Sequence, residues 1–223
     1  MIKIMQHLYL IPMLVSAILS LKAFRLRWPL AYKIFSVLLF IALITEVAAN
    51  LWHYYLYNFS GMHYSNNNAW IYTSSFIPQY ILFFFVYHQA LHSKLIKSLV
   101  VIVSLLFSLF VIINAWFIQK AFLINSNTHI AADCIMLLLI FSYFEQLRKE
   151  KEIVKLSDQP MVWISLGAFI FHLLNIPFLL MINYLNKSLP SVALAFFYVY
   201  LLFIFVSYVL YSKAFLCKTP QPK

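Results

Sequence analysis

The residues able to do chemistry in this chain are few, and they stand in stretches that are otherwise apolar. In "EVAANLWHYY" (46–55), Glu46, Asn50 and His53 are spaced four and three apart. At about 100° per residue they share one helix face with Tyr57. In "THIAADCIM" (128–136), His129 and Asp133 stand one turn apart, and in "FHLLNIPF" (171–178) His172 and Asn175 share a face. Tyr72, Ser75 and Gln79 make a fourth polar face. Carboxyl, imidazole, amide and phenol groups in such a set can exchange protons, bind a polar ligand or hold a metal ion.

The elements that must position these groups are membrane-spanning helices. Of 223 residues, 64% are hydrophobic and 10% charged, whereas an ordinary soluble domain is about half apolar and a quarter charged. A helix needs about 20 residues to cross the hydrocarbon core. Seven runs meet that need, at 7–24, 33–57, 69–91, 96–118, 128–147, 160–184 and 190–212. The expected fold is all-α: a single seven-span transmembrane helix bundle over 1–217, with 218–223 a short cytoplasmic tail. Continuous apolar runs disfavour a β-barrel, whose strands alternate. The short loops leave no room for a soluble catalytic or nucleic-acid-binding domain. The first run lacks a small-residue cleavage site, so it reads as a span and not a signal peptide.

Basic residues set the orientation, because Lys and Arg are retained on the cytoplasmic side. Lys22, Arg25, Arg27 and Lys33, then Lys94 and Lys97, then Arg148, Lys149, Lys151 and Lys155, and finally Lys213, Lys218 and Lys223 fall on one side. Only Lys3, Lys120 and Lys187 fall on the other. The N-terminus is therefore expected outside and the C-terminus inside. The net charge of +10 is accounted for by this asymmetry and attraction to anionic lipid, and nucleic acid is not implied. The opposite breaks, 57–70, 119–129 and 183–190, read as interfacial loops rich in Asn and Ser. Their two sequons, at Asn58 and Asn186, are short enough to arise by chance.

Cys134 and Cys217 fall on opposite membrane halves, so no disulfide is expected. With only Gly61 and Gly167 present, GxxxG packing is absent and close helix contacts fall to Ala and Ser.

Counting about 1.5 Å per residue from the outer ends places Glu46 and His172 near the midplane and the other polar groups in the outer half. Together Glu46, Asn50, His53, Tyr72, Gln79, His129, Asp133, His172 and Asn175 are expected to form an outward-opening polar pocket. An ionisable group at the bilayer centre costs at least about 2.5 kcal/mol, so Glu46 must be paired, protonated or wetted, and a lone buried carboxyl would stay neutral. His129, Asp133, His172 and Asn175 are the candidate partners. Pro78 and Pro177 free the carbonyls of Ser74 and Leu173, two further acceptors. The plain alternative is a set of interhelical packing bonds, averaging about 0.6 kcal/mol each.

No metal or other cofactor is expected. If a metal were bound, His53, His129, Asp133 and His172 would hold it. Seven-span zinc hydrolases such as alkaline ceramidases carry HxxxH on the last span, and "PSVALAFFYVYLLFIFVSYVLY" has no histidine. A retinal protein needs a mid-span lysine there, and Lys213 lies at the end. Neither a DRY-like tripeptide nor NPxxY is present. No internal repeat marks a transporter, although a small-solute transporter or channel subunit stands as the alternative. An enzyme is not expected.

One resemblance covers the full length. Glu46 in the second span, "NAWIYTSSFIPQYILFF" (68–84), "QPMVWISLGAFIFH" (159–172) and "YVLYSKAFLC" (208–217) resemble the seven-helix membrane proteins, and the fused membrane sensor modules, of bacterial two-component histidine-kinase systems. The resemblance implies a membrane sensor or accessory subunit of a signalling system. It departs from the fused form because no phosphoacceptor helix or ATP-binding domain follows. Expected partners are the lipid bilayer and a histidine kinase or other membrane signalling protein, through the cytoplasmic loops; a homo-oligomer is compatible. In "EQLRKEKEIVKL" (145–156) Glu145 can pair with Lys149 and extend the fifth helix as a contact surface. The expected location is the inner or plasma membrane.

Overall fold

A backbone that crosses lipid must satisfy its own hydrogen bonds, and a chain of long apolar runs with two glycines does so as helix. The computed structural model describes residues 7–54, 68–118, 126–149 and 156–218. Among them no strand occurs. The helices are α1 (Leu10–Ser20), followed by a further turn at Lys22–Arg25; α2 (Leu30–Tyr54); α3 (Ala69–Ala90); and α4 (Lys94–Ile113), which runs into a π-helical turn, Asn114–Ile118. Then come α5 (Ser126–Lys149), α6 (Pro160–Ser188) and α7 (Pro190–Leu216).

Six of these, α2 to α7, are long and apolar enough to cross a membrane. The chain thus has the architecture of a multi-pass membrane protein. Helix α1, at 11 residues, is shorter than the 7–24 span expected for it. Residues 55–57 of the expected second span lie outside the described residues, as do Asn58 and 150–155.

The segment expected as a loop at 183–190 is instead helical to Ser188, and Leu189 alone separates α6 from α7. Pro190 makes this junction sharp: it stands in the first turn of α7, where its fixed φ fits and its missing N–H costs nothing. Pro160 opens α6 in the same way. The sequon at Asn186 therefore sits on a helix backbone.

Helix pairing produces a ring. α1 packs on α2, α2 on α3, α3 on α5, α5 on α6, α6 on α7, and α7 back on α1. α4 lies outside, chiefly against α3. One end of the ring carries the Leu189 junction. The other carries the turns at 26–29, 91–93 and 156–159, together with Cys217. We call this second end the basic end, since Arg25, Arg27, Lys94 and Arg148 are exposed there.

Toward the basic end the ring is solid. Trp28 stacks on Phe215, and Phe35 meets Phe83, Tyr211 and Phe215 with ring centroids 5.0–6.2 Å apart. Tyr87 donates to Ser165 Oγ at 3.1 Å, joining α3 to α6. Ser20 and Ser36 share a 2.7 Å hydrogen bond between α1 and α2. As expected, small residues line the close contacts: Ser16, Ala17, Ser165 and Ala168 are buried. Gly167 belongs with them, because a Cβ there would stand 2.6 Å from Tyr211 Cε1 and 2.9 Å from the Ser207 carbonyl oxygen.

Polar side chains tie the helix ends. Lys22 Nζ donates to the Phe215 and Cys217 carbonyls at 3.0 and 2.9 Å, meeting the free carbonyls of the α7 C-terminus. Gln146 accepts from the His92 backbone N–H at 2.7 Å. Glu145 pairs with Lys149 as expected, at 3.2 Å, and also with Arg148 at 2.9 Å.

Candidate functional site

The half of the ring nearer the Leu189 junction is hollow. All six ring helices line a cavity of about 640 Å³, and α4 contributes nothing to it. Exposed His53 and partly exposed His7 and Asn68 stand at its rim, and Phe35, Phe83 and Tyr211 close its floor.

Glu46 projects into this space from α2. Its Oε2 accepts hydrogen bonds from Tyr9 Oη at 2.8 Å and Tyr72 Oη at 2.9 Å. The carboxyl thereby links α2 to the chain just before α1 and to α3. These phenols, and not His129, Asp133, His172 or Asn175, are its partners, which corrects the expected pairing. Asn50 donates to the Glu46 backbone carbonyl at 2.8 Å, one turn back along its own helix. Gln79 reaches across from α3 to Thr45 Oγ1 at 3.2 Å. Glu46, Asn50, His53, Tyr72 and Gln79 all lie in the cavity wall.

The second acid is built into the opposite side of the ring. Asp133 Oδ1 accepts from Tyr80 Oη at 3.0 Å and is 2.7 Å from His172 Nδ1; Oδ2 accepts from Asn175 Nδ2 at 2.7 Å. Three helices, α3, α5 and α6, meet on this one carboxyl, which has 0% exposure. Asp133 is not itself in the cavity wall, contrary to expectation; it stands behind His172 and Asn175, which are. A carboxylate bonded to Nδ1 fixes the imidazole's orientation and tautomer. His172 Nε2 is left buried without a hydrogen-bond partner.

His129 shares a helix face with Asp133 but is not hydrogen-bonded to it. Its ring packs edge-on against Phe76, with centroids 4.2 Å apart, and it too lines the cavity. Among the described residues no group of three or more His, Cys, Asp or Glu is placed to hold a metal ion. His53, His129, Asp133 and His172 are thus not brought together as a ligand set. The acceptors expected from the prolines are not in the wall either. Pro78 and Pro177 do lie within α3 and α6, but Ser74 and Leu173 are exposed residues and neither lines the cavity.

Cys217 is no candidate nucleophile. Its thiol is buried and donates to the Lys213 and Ser157 carbonyls at 3.4 and 3.6 Å, and burial raises it above the ordinary thiol range.

Sequence reasoning missed Tyr9, Tyr80 and the whole contribution of α7. The α7 signal was present: Tyr200, Ile204, Ser207, Tyr208 and Tyr211 recur at helical spacing, and all five line the cavity. Phe178 of α6 stacks on Tyr200 with centroids 4.0 Å apart and planes 6° apart, making one flat aromatic wall.

The arrangement can bind a small molecule between an open carboxyl on one side and a preset imidazole on the other, with aromatic rings between. No protein-family model matches the chain, and no curated protein or solved structure matches it.

Proposed function

We propose that the protein is an integral membrane sensor, or the accessory subunit of a signalling system, that spans the membrane seven times with its N-terminus outside. On this reading a ligand enters the cavity from outside, and its binding shifts helices at the cytoplasmic, basic end. The observation that carries the proposal is the one-ended hollow: about 640 Å³ of cavity above a floor of close-packed aromatic rings. A blind cavity suits binding better than passage. The seventh crossing is supported by the stretch from His7 to Arg25, which at about 1.5 Å per residue approaches the roughly 30 Å hydrocarbon thickness. The basic residues exposed at one end support the orientation. The Lys22 bonds to the end of α7 give a route by which a shift of α1 at the cavity reaches the cytoplasmic face.

A C-terminal green fluorescent protein fusion should fluoresce, and a C-terminal alkaline phosphatase fusion should be inactive. The coupling is tested with spin labels at Arg25 and Lys94, both exposed. Filling the cavity with Ser75→Phe should change the distance distribution between them; an unchanged distribution contradicts the sensor reading. The second reading, a small-solute carrier, is favoured by the prolines inside α3 and α6, two helices of the cavity wall. Solute flux in proteoliposomes above that of empty liposomes would establish it instead.

A further inference from the structure

We propose that the cavity's ligand is an organic ammonium ion: a protonated amine on an aromatic or other apolar body. This rests on the ligand-binding reading above and gives it a chemistry.

The charge inventory of the wall is one-sided. Among the described residues, Glu46 is its only carboxyl and no Lys or Arg lines it. An anionic ligand would find no fixed counter-charge among the described residues. Asp133 stands behind the wall with its oxygens taken up by Tyr80, His172 and Asn175, so it does not face the space. The other titratable groups in the wall are the histidines His7, His53 and His129 and the tyrosines.

The Glu46 carboxyl is also half-used. Both phenols converge on Oε2, and among the described residues no group donates to Oε1. A carboxyl in a low-dielectric site ionises only beside a counter-ion, and an ammonium N–H donating to Oε1 supplies one with a charge-assisted hydrogen bond. The surrounding rings fit the rest of such a ligand. Tyr9, Tyr72 and Tyr208 stand near the carboxyl, and Phe178 with Tyr200 offers a flat face. Aromatic faces attract cations and bury apolar bodies, so the same wall serves both parts of the molecule.

The test uses the purified full chain in lipid nanodiscs at neutral pH, with empty nanodiscs as the blank. Three probes of one shape differ in charge: phenethylammonium, phenethyl alcohol and hydrocinnamate. Phenethylammonium should bind about tenfold or more tighter than the alcohol, the gain of one charge-assisted bond, and hydrocinnamate should not bind. Glu46→Gln keeps a carbonyl for the two phenols, so it should fold; it should lose the ammonium preference and keep the alcohol's affinity. If wild-type protein binds ammonium and alcohol alike, or if the preference survives Glu46→Gln, the ammonium assignment falls while ligand binding in the cavity stands. If none of the three probes binds, both fall.

Discussion

Asp133 and Glu46 are acids in helices long enough to cross a membrane, and the protein houses them in opposite ways. Asp133 uses both oxygens, touches Tyr80, His172 and Asn175, and is wholly buried behind the cavity wall. Glu46 takes two phenol hydrogen bonds on one oxygen and faces the hollow. The first arrangement satisfies the acid inside the protein. The second leaves room for something from outside. The same division separates the two halves of the ring: aromatic rings fill the basic end, while the half toward Leu189 encloses space.

Asp133→Ala strands three buried polar side chains, so unfolding in detergent should show a loss of about 3–5 kcal/mol. Three ordinary interhelical bonds would cost nearer 2 kcal/mol, at about 0.6 each. A loss of that smaller size would make Asp133 a packing residue like any other. Next comes the solid half. Gly167→Ala forces a Cβ against Tyr211 and the Ser207 carbonyl, and overpacking of this kind should cost about 1–3 kcal/mol in the same assay.

Lys22→Met tests the tie between α1 and α7. Losing two hydrogen bonds to carbonyls at a half-buried site should cost about 1–2 kcal/mol. Double labelling at the basic end should also report a looser α7 C-terminus. The smallest stability effect belongs to Glu46→Gln, at under about 1 kcal/mol, because the amide carbonyl still accepts from Tyr9 and Tyr72. A loss as large as that of Asp133→Ala would erase the distinction between the two acids.

Much of this was legible in the chain. Apolar runs of about 20 residues mark helices because lipid leaves the backbone no other choice. The i, i+4, i+7 spacing of Glu46, Asn50 and His53 puts them on one face, and the structure places all three in the cavity wall. Asp133, His172 and Asn175 meet one another, whereas counting residues along the spans put His172 deeper than Asp133 and offered all three as partners of Glu46. Which group meets Glu46 was not legible. Tyr9 and Tyr80 are two of 15 tyrosines, and a phenol at membrane depth looks in sequence like any other aromatic core residue. Only the order of helices around the ring, with α4 displaced to the outside, decides which phenol reaches which carboxyl. The α6–α7 junction was misread for a local reason: "NYLNKSLP" has the composition of a loop, yet Pro190 at the start of α7 lets both helices continue to within one residue of each other.

One half of the ring is hollow and the other is packed, and on the proposed orientation the hollow half opens to the outside. In a background with Cys134 and Cys217 replaced by serine, single cysteines at Ser75, in the cavity wall, and Ser165, in the packed half, are exposed to a membrane-impermeant thiol reagent from the outer face. Ser75→Cys should label rapidly and Ser165→Cys should not label. Equal reactivity at the two positions, or labelling of Ser75→Cys only from the cytoplasmic face, would contradict this arrangement.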